Sequence, residues 1–293
     1  MIVVRLCGGL GNQLFQYAAA RSLSERLQTA VKLDTTWFHL QQDRNFMIDV
    51  FHIKADMASE QEISTFHTSG RTGFWPKLHG MLTNKKRTDQ TYFQEEHFHV
   101  NPDFFHLNNS VYLDGYWQSE KYFENIKEQL RNELTYKKPS TDENKDMLAE
   151  ISSTKNPTVS LHIRRGDYVK DPRITRVLYS CQLDYYHKAV ETIAQKVSNP
   201  FFYVFSDDVP WCHKHLRLHH AYKVISHNPP GQEWEDFRLM TACQHHITAN
   251  SSFSWWGAWL DHTPQKIIIS PLKWFKNKNY NDKDLIPSGW IRI

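Results

Sequence analysis

Cysteine is scarce: the 293-residue chain has four, Cys7, Cys181, Cys212 and Cys243, too far apart for any C-x-x-C motif. Such spacing reads as reduced, buried thiols in a cytoplasm. Long apolar runs are missing too. No stretch approaches the ~18 uninterrupted apolar residues that a spanning helix requires. Neither sign of charge prevails, since 35 Lys and Arg stand against 32 Asp and Glu for a net +3. The cations are scattered along the chain, which argues against nucleic acid as a partner. The first residues, MIVVRLCGGLGNQ, show no basic region, apolar core and cleavage site of the secretory kind. The expectation is a cytoplasmic protein, at most peripheral at the inner face of a membrane.

Aromatic residues are plentiful instead. Ten Trp are present, and Trp117, Trp211 and Trp234 lie beside polar residues or proline. Sugar rings stack on such side chains, although core packing uses them as readily. The length allows two domains, and two domains leave a cleft between them.

An apolar run at Ile2–Cys7 enters glycines and then a helix with Asn12 as its expected N-cap, followed by a strand at Ala30–Asp34. This is the βαβ rhythm of a parallel sheet. Residues 37–109 read as irregular with short helices. Order returns at Val111–Asp114 and in a helix from Ser119 whose Tyr122, Ile126, Leu130 and Leu134 form one stripe. Polar residues 135–157 hold the expected domain boundary. Beyond it, strands at Thr158–Ile163, Phe201–Ser206, Lys223–Ser226, His246–Ala249 and Lys266–Ser270 alternate with helices. Alternation of this kind predicts a doubly wound α/β sheet with ligands at the carboxyl ends of its strands.

Four groups of residues fall at such strand ends. Gly8-Gly9-Leu10-Gly11-Asn12-Gln13 joins a strand to a helix, and its glycines would let backbone N–H groups approach an anion. A dinucleotide reading uses Gly9, Gly11 and Asp34 but fails at Leu14, where a third glycine would have to stand. His162-Ile163-Arg164-Arg165-Gly166-Asp167 offers guanidinium groups suited to a departing diphosphate. One arginine should face the cleft and the other serve the structure, pairing with Asp167 at the surface. Ser206-Asp207-Asp208 could accept hydrogen bonds from a ribose or a base edge, or cap the next helix. Its acids also resemble the D-x-D that holds Mg²⁺ or Mn²⁺ on a diphosphate, a reading that Arg164 weighs against because it already supplies positive charge. Asn250-Ser251-Ser252-Phe253 would form a second anion cradle, with Trp255, Trp256 and Trp259 packing the helix behind it. His215 and His219 lack a third ligand and read as surface residues.

Together, GGLGNQLFQYAAA, HIRRGDYV, FYVFSDD and LMTACQHHITANSSFSWWGAWL closely resemble the bacterial α-1,2-fucosyltransferase family. The resemblance implies a GT-B-like fold, two Rossmann-like domains facing across a cleft. Residues 1–155 would form the acceptor side and 156–293 the GDP-fucose-binding side, with no cofactor and no metal. It further implies that Arg164 contacts the β-phosphate, that His162 and Asp207 help hold the nucleotide, and that Ser251, Ser252 and Phe253 wrap the diphosphate. The Asn12 loop would meet it from across the cleft. Gly9, Gly11, Gln13, Asp34, Ser206 and Asn250 complete the expected substrate contacts.

The activity so implied is transfer of L-fucose from GDP-β-L-fucose to the 2-hydroxyl of a β-galactoside, on an oligosaccharide or lipid-linked glycan. A β-linked donor and an α-linked product need one in-line displacement with inversion. Arg164, Asp167 and His162 are the catalytic candidates. The base on the acceptor hydroxyl is open among Asp167, Asp34, Asp171 and His162, and a late proton loss through water would dispense with one. The alternatives are another GDP-sugar transferase with a different linkage or acceptor, and a glycan-binding protein without turnover.

Overall fold

The computed structural model describes residues 1–40, 44–66 and 91–293. The first domain begins with β1 (Ile2–Arg5), α1 (Leu10–Leu27) and β2 (Val31–Asp34), followed by α2 (Thr36–His39), β3 (Asp56–Met57) and α3 (Glu60–Ser64). It continues through β4 (Tyr92–Gln94), β5 (Val111–Asp114) and α4 (Lys127–Glu133). The strands form one parallel sheet in the order β3-β2-β1-β5-β4. Strands β3 and β4, only two and three residues long, stand where irregular chain was expected. Segments so short carry no periodicity for a sequence reading to detect. The stripe beginning at Tyr122 is buried as expected, but its first half is two 3-10 turns, Glu120–Tyr122 and Glu124–Ile126, ahead of α4.

The second domain holds α5 (Asp142–Ser153), β6 (Thr158–Ile163), α6 (Gly166–Lys170), α7 (Pro172–Thr175), α8 (Leu183–Ala194), β7 (Phe201–Ser206) and α9 (Val209–His215). Then come β8 (Tyr222–Val224), α10 (Glu233–Thr241), β9 (His245–Ile247), α11 (Ser252–Leu260), β10 (Ile268–Ser270) and β11 (Ile291–Arg292). Its parallel sheet runs β11-β10-β9-β6-β7-β8. The chain builds outward from β6 through β7 to β8, then crosses back to β9, so the strand order reverses between β6 and β9. Crevices at such reversals are where open α/β sheets bind ligands. Helix α5 precedes the expected 155/156 boundary yet packs Met147 and Ile151 against Tyr203, Phe205 and Met240 of the second domain.

Helix α1 does not start at Asn12. Gly8 turns the chain at φ +75°, Gly9 is the N-cap, and the N–H groups of Asn12 and Gln13 already bond the Gly9 carbonyl. Nearly every side chain from Leu10 to Ser24 is buried, so α1 lacks a solvent face over most of its length. The reason is α11: Phe15 lies 4.5 Å from Trp255 and 5.1 Å from Trp256 between ring centroids, and Phe123 stacks on Trp256. One apolar cluster therefore runs from the first sheet through these helices into the second domain. Burying a tryptophan of this kind stabilises by several kcal/mol, since Trp→Ala changes in cores cost ~3–5 kcal/mol.

Candidate active site

The six residues of β6 are all buried, which carries Arg164 to the carboxyl end of a central strand at the β6/β9 reversal. Its guanidinium is clamped by two carboxylates, Nη2 to Asp167 Oδ1 at 2.6 Å and Nη1 to Asp207 Oδ2 at 2.8 Å, above the ring of Tyr168. Burial pulls its pKa down, but Asp207 and Asp167 outweigh that and hold the charge in place. The Tyr168 hydroxyl donates to the Asn250 carbonyl at 3.0 Å, which sets Arg164 beside the loop entering α11.

Arg165 turns the other way, as alternation requires. Its guanidinium lies 3.9 Å from the Trp211 ring centroid and its Nε is 3.2 Å from Asp208 Oδ2. Asp208, not Asp167, is thus its partner, because Asp167 is already taken. Asp208 also caps α9 by accepting the Trp211 N–H, while Asp207 holds the Arg164 guanidinium with one oxygen and accepts the Arg165 N–H with the other. Ser206 accepts the Asp208 N–H and stabilises that turn. A Cβ on Gly166 would lie 2.4 Å from Asp207 Oδ2, so only glycine leaves this carboxylate room.

His162 is buried on β6 with its ring 5.5 Å from that of Phe253. Burial, and secondarily the Arg164 charge, lower its pKa to about 3. The imidazole is neutral at physiological pH, far from the matched proton affinity of a general base. Its Nδ1 is buried and has no hydrogen-bond partner among the described residues. Such an atom costs stability unless a ligand completes it. At the start of α11, Ser251 is the N-cap but no side chain caps the helix, leaving its first N–H groups directed out of the helix end. Ser252 Oγ instead donates to Asn12 Oδ1 at 2.7 Å, across the domain boundary.

Several of the expected substrate contacts make hydrogen bonds within the protein. Gln13 is fully buried, its amide donating to the carbonyls of Gly8 and Asn45 and accepting the Met47 N–H. Asn250 gives its amide to the carbonyls of Tyr179 and Trp274 and accepts from the Cys181 thiol. Asp34 accepts the Tyr112 hydroxyl at 2.5 Å and the Thr36 N–H at 2.9 Å inside its own domain. Gly11 is a contact between helices: a Cβ there would sit 2.3 Å from the Ser252 carbonyl carbon and 2.5 Å from the Phe253 nitrogen. Gly9, by contrast, faces open space. Asp171 caps α7 and pairs with Arg173, which lowers its pKa to about 2.

One residue absent from the expected set belongs to it. Arg44 of the first domain pairs with Asp167 Oδ2 at 2.7 Å, so Asp167 is gripped by guanidinium groups from both domains. No motif marks Arg44, which lies in the least legible part of the chain. Among the described residues no cluster of three or more His, Cys, Asp or Glu has the arrangement of a metal site, and no helix is long and apolar enough to cross a membrane.

Comparison with known proteins places this geometry in context. The chain is 34% identical to an alpha-1,2-colitosyltransferase of Escherichia coli, covering 100% of this chain and 99% of that protein. The O-antigen biosynthesis glycosyltransferase WbnK of Escherichia coli is 30% identical over 98% and 99% of the respective chains. Galactoside alpha-(1,2)-fucosyltransferase 2 of Hylobates lar is 24% identical over 89% of this chain and 69% of its own length. Among solved structures, the NodZ alpha-1,6-fucosyltransferase soaked with GDP-fucose superimposes with a TM-score of 0.50 at 14% identity, over 92% and 94% of the two chains. That likeness concerns the fold alone, a GT-B pair of Rossmann-like domains. The model of glycosyl transferase family 11 matches residues 1–293, and the chain belongs to that family of glycosyltransferases.

Proposed function

We propose that this glycosyltransferase moves L-fucose from GDP-β-L-fucose to the 2-hydroxyl of a terminal β-galactoside, with inversion in a single displacement. The observation that carries the reading is Arg164, held by Asp167 and Asp207 at the strand-order reversal beside the open end of α11. As the bond from the sugar to the diphosphate breaks, negative charge grows on the departing oxygen. A guanidinium already fixed in position, with helix N–H groups beside it, stabilises that charge without reorganising. Arg44 adds a cation from the first domain through Asp167. His162 Nδ1 and Phe253 supply a buried polar atom and a ring edge for the nucleotide. Clamped by two guanidinium groups, Asp167 is a positioning residue and not a free base.

The test is Arg164→Ala. Transfer from GDP-fucose to lactose should fall by about 10² to 10³-fold, the loss typical when one such donor is removed, while circular dichroism stays native. Near-normal turnover would sink the role. Activity should survive EDTA. A second reading comes from the colitosyltransferase relative. Colitose is fucose without its 3-hydroxyl, so a donor competition between GDP-fucose and GDP-colitose decides it.

A further inference from the structure

Glu95 follows β4 directly, at the carboxyl end of the first sheet. Its Oε2 accepts the Tyr116 N–H at 2.6 Å, and both oxygens lie 3.1 Å from the Trp117 nitrogen. Gly115 admits it, for a Cβ there would stand 2.4 Å from the Glu95 Cβ. The same loop reaches the domain contact, since the Gln118 amide donates to Asn12 Oδ1, which also accepts from Ser252. On its other side Tyr116 stacks on Phe98, and Phe98 lies 4.7 Å from Phe275 of the second domain. Trp274, one residue earlier, gives its carbonyl to Asn250. Glu95 therefore stands in the first-domain wall where the carboxyl ends of both sheets converge.

The carboxylates of Asp114, Asp34, Asp167, Asp207 and Asp208 at these strand ends are occupied, and Glu96, next to Glu95, is exposed. Asp114 pairs with Arg5 and accepts the Tyr92 hydroxyl, Asp34 is bound to Tyr112, and Asp167 and Asp207 share Arg164. Asp208 holds Arg165. Glu95 has no cationic or phenolic partner among the hydrogen bonds and ion pairs of the described residues.

Resting on the donor reading above, we propose that Glu95 is the general base for the acceptor hydroxyl. The acceptor O–H bond breaks and its proton passes to the Glu95 carboxylate while the oxygen bonds to the sugar's anomeric carbon. The bond from that carbon to the diphosphate breaks, and its electron pair leaves with GDP. The carboxyl then returns its proton to solvent. Burial lifts the Glu95 pKa, the two N–H bonds oppose it, and the Asp114 charge adds to it, for a result of about 7. A base works best when its pKa lies near the operating pH. The titratable and charged groups around it are Asp114 with Arg5, Cys7, Tyr116, Tyr122 and Asp284, with Glu96, His97 and His99 on its own segment.

The experiment is a pH profile of kcat/KM for the wild-type enzyme and for Glu95→Gln, which keeps an oxygen for the Tyr116 N–H. The wild type should lose activity as pH falls below about 7, where the carboxylate protonates. In the variant kcat should drop by about 10² to 10⁴-fold and the acid limb should vanish, with GDP affinity unchanged by calorimetry. A wild-type enzyme that binds GDP and transfers sugar without an acid limb overturns the base alone. So does a variant that keeps the limb, even one with weakened GDP binding or stability, because loop support would then be all Glu95 does. A wild-type chain that binds no GDP overturns the donor reading and the base with it.

Discussion

A methyl group on Gly166 would collide with the carboxylate that holds Arg164. Gly166→Ala must push Asp207 away and release one arm of the guanidinium. A hydrogen bond to a charged group is worth ~1.5–3 kcal/mol, which corresponds to ~10 to 100-fold. The donor KM should rise by that factor while the melting temperature changes little, and steady-state kinetics beside thermal unfolding would check both. An unchanged KM would mean that Asp207 has no part in donor binding. At this scale the sequence was legible as to residue type and opaque as to role. Arg164 and Arg165, or Asp207 and Asp208, are equivalent on paper, and only the direction of each side chain separates the cleft residue from the fastener. Gln13, Asn250 and Asp34 are opaque for a related reason: polar residues at strand ends are as useful for tying down loop carbonyls and N–H groups as for holding substrate.

At the scale of elements, α1 and α11 join the domains. Gly11 allows their backbones to touch, Asn12 and Ser252 bond at the contact, and Phe15, Trp255 and Trp256 fill the space behind. Gly11→Ala would force the helix ends apart. Overpacking of this sort typically costs ~1–3 kcal/mol, to be read from urea unfolding, and transfer should decline with it because Ser252 begins the helix end that we propose faces the diphosphate. If Gly11→Ala is as stable and active as the wild type, the contact is looser than described. Strands β6 and β7 were legible, being six apolar-rich residues each, whereas β3, β4 and β11 were too short to announce themselves. Helix α1 was recognised as a helix, but not its burial on nearly all sides, since that depends on α11 covering it.

Across the whole molecule, Arg44 and Asp167 tie the lobes together beside Arg164. Both side chains are partly exposed, and pairs of that kind contribute ~0.2–1 kcal/mol to stability. Arg44→Ala should therefore leave the melting temperature nearly unchanged while weakening GDP binding by ~10-fold or more, as loss of a charge-assisted contact does. Calorimetry with GDP tests this, and full affinity in the variant would reduce the pair to a tie between domains. The sequence by itself determined the alternating second domain, the four groups at strand ends and the kinship they carry, because each of these is written in contiguous residues or a short period. Only the tertiary structure decided that Arg44 meets Asp167, that Ser252 meets Asn12 and that Glu95 stands at the junction with no cationic partner among the described residues. Those relations join residues far apart in the chain, and their energies depend on burial and partner geometry, which no local pattern encodes.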